Sequence, residues 1–188
     1  MNFSAPLLAA AIIAAPGASL AAPAAAWIVD KPASSLRFAS SLGGEAFSGA
    51  FKQWDADIRF DPANLAGSSV AASVNVASAA TGSADRDLAL PTADFFDAAH
   101  SPTAIFFAKS FKALGAGRYQ AAGVLTLRGV AKQLILPFTL AITGPQAKMT
   151  GTVAINRLAF GVGQNEWKAV TTLPAAVSVT LNLVARKK

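Results

Sequence analysis

The chain has no cysteine, one histidine and only 14% charged residues in 188 positions. Without cysteine there is no disulfide, no thiolate nucleophile and no Cys-bearing metal cluster. The lone His100 has no Ser or Cys partner with an orienting acid in the pattern that nucleophilic catalysis uses. As a metal ligand it would need donors such as Asp94 or Asp97, and no His/Cys cluster supplies the rest. Charge is missing altogether from residues 1–26, whose apolar stretch at residues 7–15 is too short to span a bilayer. That combination reads as a secretory signal peptide and linker, cut near Ser19-Leu20-Ala21 or Ala24-Ala25-Ala26, although only the α-amino group supplies the usual positive charge. An uncleaved anchor is the alternative.

What is present is a two-residue rhythm. In residues 54–61, Trp54, Ala56, Ile58 and Phe60 alternate with Asp55, Asp57, Arg59 and Asp61, which gives a strand with one dry and one wet face. The same phase runs through Val70/Ala72/Val74/Val76, Tyr119/Ala121/Gly123/Leu125/Leu127, Leu134/Leu136/Phe138/Leu140 and Val177/Val179/Leu181/Leu183. Strands are expected near residues 35–41, 46–61 with a bend, 69–78, 103–111, 118–128, 133–143, 148–157 and 176–185. Turn chemistry at Gly43-Gly44, Pro62-Ala63-Asn64, Gly115-Ala116-Gly117 and Gly144-Pro145 joins them as antiparallel neighbours.

The fold expected is all-β: one domain over residues 27–188, an eight-stranded antiparallel barrel with a short helical insert. The insert comprises two short helices, residues 83–90 and 93–99, the first capped by Ser83 with Asp85 and Asp87 in its first turn. Small inward residues (Ser40, Ala56, Ala72, Ala121, Gly123, Gly151) among large ones favour a hollow interior over a filled one.

The net charge is +6, with carriers scattered along the sequence and only Arg186-Lys187-Lys188 clustered. A nucleic-acid platform would interleave basic residues with exposed aromatics, and Lys109 and Lys112 around Phe111 are too sparse for one. A transmembrane barrel is disfavoured too, because Asp55, Asp57, Arg59, Ser73, Asn75, Gln120 and Arg128 fall on outward faces that would meet lipid.

Residues 81–138 carry Thr81-Gly82, Asp85-Arg86-Asp87, Leu90, Ala93-Asp94-Phe95-Phe96-Asp97, Pro102 and the run from Gly123 to Lys132. With Ser34-Ser35-Leu36-Arg37-Phe38 and Gly49-Ala50-Phe51 upstream and Asn156-Arg157-Leu158-Ala159-Phe160-Gly161 downstream, this resembles the YceI-like family of periplasmic polyisoprenoid-binding proteins. Ser101 stands where that family commonly has an aromatic, and Ala159 where it has an acid. The resemblance implies an extended lipocalin-like barrel, exported to the periplasm, with a polyisoprenoid lipid or isoprenoid quinone tail in its lumen. It further implies a conceivable membrane contact or cytochrome b561-type membrane partner.

A non-catalytic carrier without cofactor or metal is therefore expected, with a homodimer left open. The alternative is an enzyme or redox accessory acting on a bound quinone or lipid, with Asp85, Arg86 and Asp87 as proton donors and acceptors. Strand phase assigns Phe38, Trp54, Ile58, Leu125, Leu127, Leu136 and Phe138 to the ligand wall, and the aromatic set adds Phe51, Phe60, Phe95, Phe106 and Phe160. Arg86 at the pocket mouth could donate to a headgroup, against the plainer role of helix capping and a local ion pair. One of Phe95 and Phe96 is expected to point inward, and Arg157 to anchor a turn through backbone carbonyls.

Overall fold

The computed structural model describes residues 23–188. The signal-peptide expectation falls mainly on residues outside that range. Eleven strand segments form one antiparallel system: β1 Ala26–Val29, β2 Ser35–Leu42, β3 Glu45–Phe51, β4 Trp54–Arg59, β5 Ser69–Asn75, β6 Ala79–Ala80, β7 Thr103–Gly115, β8 Arg118–Leu127, β9 Val130–Thr143, β10 Gln146–Asn156 and β11 Ala176–Lys187.

The first six segments are pieces of three longer strands, β1/β2, β3/β4 and β5/β6. Each piece of β1/β2 pairs with β11 on one side, and with β4 or β3 on the other. Counted this way, eight strands close an up-and-down barrel, each beside its sequence neighbour, with β11 returning to β1/β2. Closure removes the free sheet edges that would otherwise pair with other chains.

The wall begins slightly earlier than expected. Ala26 is already in β1 opposite Arg59, and the Ala24 amide donates to the Gly67 carbonyl, so residues 24–26 belong to the fold rather than to a linker. The strand phase holds along β4, β8 and β9, where alternate residues enter the interior and their neighbours face out, and it shifts in β7 at the bulge between Ala108 and Ser110.

Of the expected insert only α1, Ala84–Ala89, is helical. Ser83 occupies its N-cap position but makes no capping bond. Asp87 instead accepts from the Thr81 amide and hydroxyl, at 2.7 and 2.6 Å. Residues 93–99 are not a helix. They run through successive turns, with Phe96 N–H donating to Leu90 O, Ala98 N–H to Pro91 O, and Asp97 at φ +51°. This path buries Phe95 and Phe96 together, which a single helical face would not do.

The barrel has two unlike ends. One carries the β2–β3 hairpin and two long segments, residues 81–102 and 157–175, which act as a lid. The other carries short turns and an aromatic cluster in which Phe60 meets Phe111, Tyr119 and Phe138 edge-on at 5.3–5.8 Å between centroids.

Candidate functional site: an apolar lumen

Inward side chains leave the barrel hollow. Beneath the lid a chamber of about 210 Å³ opens among β2, β3, β5, β7, β8, β9, β10 and β11, and a second of about 110 Å³ follows toward the aromatic end. Leu36, Ala72, Val74, Phe106, Leu136 and Leu181 belong to both walls, so the chambers abut at a common waist. Neither presents polar surface to the space. From Leu127 to Tyr119 the inward phase of β8 extends for roughly 27 Å of strand, at about 3.4 Å per residue.

The assigned wall residues divide cleanly. Phe38, Phe51, Phe95, Leu125 and Leu127 line the lid-side chamber. Trp54, Ile58, Phe60 and Phe138 line the other, and Phe106 and Leu136 line both. Phe160 is the exception. It is buried with the lid-side core but does not reach the lumen, because the turn of residues 157–160 points it behind the wall.

Both Phe95 and Phe96 line the lid-side chamber, where only one of them was expected to point inward, and Leu90, Val162 and Leu173, which sequence reasoning missed, close it from segments without alternation. Two of the small residues, Gly123 and Gly151, keep the inward phase but border neither chamber: a Cβ on Gly123 would collide with the Phe107 carbonyl, and one on Gly151 would lie 3.1 Å from the Pro137 carbonyl. These glycines let neighbouring strands approach; Ser40, Ala56, Ala72 and Ala121 are the small residues that face the space.

Arg157 organises the lid. Its Nε donates to Pro174 O, Nη1 to Val162 O, and Nη2 to Trp167 O and Leu173 O, at 2.6–2.9 Å. Burial pushes its pKa down. Its carbonyl cage still takes four of the five N–H donors without a carboxylate. Gly163, at φ +86°, leaves room for that guanidinium, since a Cβ there would collide with Nη1. The two lid segments are stapled together: the Asp94 carbonyl accepts from Gly163 and Gln164, its carboxylate accepts from Asn165 at 2.7 Å, and Phe95 packs on Trp167. Arg128 ties residues 81–102 to the β8–β9 turn by donating to Ala93 O.

The acidic cluster does not face the lumen. Bonds from the Thr81 hydroxyl and amide hold the Asp87 carboxyl below the usual carboxylate range, the reverse of what a lumenal proton donor needs. Nor does a local ion pair form with Arg86, whose guanidinium lies 5.1 Å from the Phe47 ring centroid. Its Nε and the Ser40 hydroxyl are buried polar atoms without partners. Ser40 lies opposite Phe47 across β2–β3, so both orphaned groups adjoin the same ring at the mouth of the lid-side chamber. His100 is exposed and pairs with Asp97 at 2.8 Å; among the described residues no cluster could hold a metal.

One seam of the barrel is open. β1 pairs with β4 only at residues 26–27, and β2 with β3 only from Arg37 onward, leaving residues 28–36 and 51–57 without backbone pairing to each other. Lys31 bridges the gap. Its ammonium sits 3.8 Å from the Trp54 ring centroid, donates to Trp54 O, and pairs with Asp55 at 3.0 Å. That bond to Lys31 keeps the Asp55 pKa low. Trp54 and exposed Asp55 both border the second chamber, so the seam is where it approaches solvent.

A closed antiparallel barrel, a two-segment lid and an apolar lumen are now joined by the sequence itself: residues 27–185 match the YceI-like domain. The chain belongs to the YceI-like family. Among curated relatives, a UPF0312 protein of Vibrio cholerae is 32% identical over 162 residues, covering 81% of this chain and 84% of that one. A UPF0312 protein of Pseudomonas syringae is 33% identical over 129 residues, covering 65% and 67%. Burkholderia cenocepacia BcnA superposes with a TM-score of 0.81 at 32% identity, over 84% of this chain and 99% of that one. A polyisoprenoid-binding domain from Saccharophagus degradans, implicated in plant cell wall breakdown, shares the fold with a TM-score of 0.68 at 15% identity, over 87% and 99%. The fold found here is thus shared with these solved structures over most of the chain.

Proposed function

We propose that this protein is a non-catalytic carrier that holds the tail of a polyisoprenoid lipid or isoprenoid quinone within its barrel, in the periplasm after export. The observation that carries this reading is the lumen itself: two abutting chambers that present no polar surface to the space, bounded by aromatic rings at each end. Family membership and the fold shared with a polyisoprenoid-binding domain support it.

The energetics suit a tail. Each methylene buried is worth about 0.8 kcal/mol, so a few isoprene units give on the order of 10 kcal/mol before the cost of association is subtracted. The headgroup belongs at the lid, where Ser40 Oγ and Arg86 Nε lack partners; the aromatic end receives the tail. Selectivity accordingly follows tail length more than headgroup.

The test is displacement of a lumen-bound fluorescent fatty probe by polyprenols of increasing length. Affinity should rise with each added unit until the lumen is full. Affinity indifferent to length would contradict the reading.

A further inference from the structure

Residues 103–188 carry eleven Lys and Arg against a single acid, Glu166, while the other nine acids precede residue 103. Arg128, Arg157 and Lys168 belong to the lid end; the other eight lie on β7 to β11 or the C-terminal residue that follows, and so fall on one side when the barrel closes. Strands β7 to β11 contain no acid at all. Among the described residues no carboxylate pairs with Lys109, Lys112, Arg118, Lys132 or Lys148. On the other wall, exposed Asp55 and Asp57 alternate along β4.

The basic wall also carries exposed apolar side chains. Ile105, Phe107 and Ile135 are 47%, 44% and 56% exposed. Register makes them contiguous: Phe107 faces Val124 and Ala71 on its two neighbouring strands, and Ile135 faces Ala122. At the β7 bulge Lys109 swings over this patch, with Nζ 5.3 Å from the Phe107 ring centroid.

We propose that the outer face of β7, β8 and β9 docks on an anionic phospholipid bilayer. The proposal deepens the carrier reading and rests on it for its purpose, since a lipid carrier must meet the membrane that supplies its cargo. Apolar side chains that reach the headgroup boundary, accompanied on the same face by Lys109, Lys112 and Arg118 without counter-ions, match an interfacial anionic surface in both polarity and sign. The opposite wall, where Asp55 and Asp57 share the outer face of β4 with Arg59 and Lys31 pairs with Asp55, lacks that excess of cations and does not compete for the surface, which fixes the orientation. Symmetric pairing of two copies through this face would oppose Lys109, Lys112 and Arg118 with themselves, which disfavours a second copy as the occupant. One exposed aromatic makes no stacking row for nucleic acid.

The test is co-sedimentation of the full chain with vesicles of phosphatidylcholine alone or mixed with phosphatidylglycerol, with probe occupancy of the lumen read in parallel. Binding should require phosphatidylglycerol and weaken more than tenfold as salt shortens the Debye length. At about fivefold per basic residue near the surface, Lys109→Glu with Lys112→Glu should weaken it more than about twentyfold. Phe107→Ser should weaken it several-fold, and Lys52→Glu at the β3–β4 junction should leave it unchanged. Lumen occupancy should be unaffected in every variant, so failed docking is distinguishable from a failed carrier reading. Equal binding to neutral vesicles, or variants that bind like the parent, would overturn the proposal. So would variants that dissolve a dimer while vesicle binding persists.

Discussion

The two halves of the barrel wall are built differently. Strands β7 to β11 are 10 to 14 residues long and run with only local register shifts at two bulges in β7. The wall made by β1 to β6 is broken at residues 30–34, 52–53 and 76–78; backbone bonds from Lys52 to Ser78 and from Asn75 to Gln53 join the last two breaks, and at the first a side chain reaches across to β4. The long half is a continuous ladder that fixes the lumen's shape. The interrupted half contains the seam, where Lys31 takes the place of backbone pairing. A container needs both: a wall stiff enough to keep a cavity open, and a place where it opens at small cost.

The largest effect should come from the lid anchored in the long half. Arg157→Ala removes donors from four buried carbonyls and should cost roughly 3–5 kcal/mol, measured by denaturant unfolding. A loss under about 1 kcal/mol would mean that the lid does not depend on this residue. Next comes Leu127→Glu, which places an unpaired charge in the lid-side chamber. Probe retention or folding should be abolished, because the carboxylate is desolvated without compensation. Normal uptake by a folded variant would show that the strand phase is wrong.

Lys31→Ala aims at the interrupted half and should separate stability from exchange. The ion pair is half exposed, and its loss with the cation–π contact should cost about 1 kcal/mol or less. Ligand release should nevertheless quicken several-fold in stopped-flow experiments, and hydrogen exchange should rise at residues 28–36 and 51–57 before β8 and β9. Uniform exchange across both halves would erase the distinction between them.

Acid gives the smallest effect. The Asp55 pKa lies below its unfolded value, so its stabilising contribution is complete above the ordinary carboxylate value of about 3.9 and is lost as pH falls below it. Faster release confined to that acid range, and absent from Asp55→Asn, is the expected pattern.

Much of this was legible because alternation is a strong signal. In Trp54 to Asp61 every second residue is charged, and the observed strand keeps that phase without exception. Eleven of the twelve assigned wall residues border the lumen, the seven placed by strand phase for the same reason, whereas Phe95 reaches it from a lid segment without alternation. The exception, Phe160, lies in a turn, where large apolar residues are equally expected behind a wall. Residues 93–99 read as a helix from local composition, yet burial of both Phe95 and Phe96 prevailed over propensity. β1, Ala26–Val29, follows an alanine-rich run and at four residues is too short to show alternation. The seam, the four-carbonyl cage of Arg157 and the one-sided charge depend on contacts between distant residues, and no local pattern could announce them.

The central claim, a lumen that holds an isoprenoid tail, is tested most directly by extracting protein purified from its native compartment with organic solvent and identifying the contents by mass spectrometry. The account predicts a polyprenyl compound in stoichiometric amount, lost in Leu127→Glu. Protein that is repeatedly empty, and that stays empty after incubation with polyprenyl lipids, would contradict it.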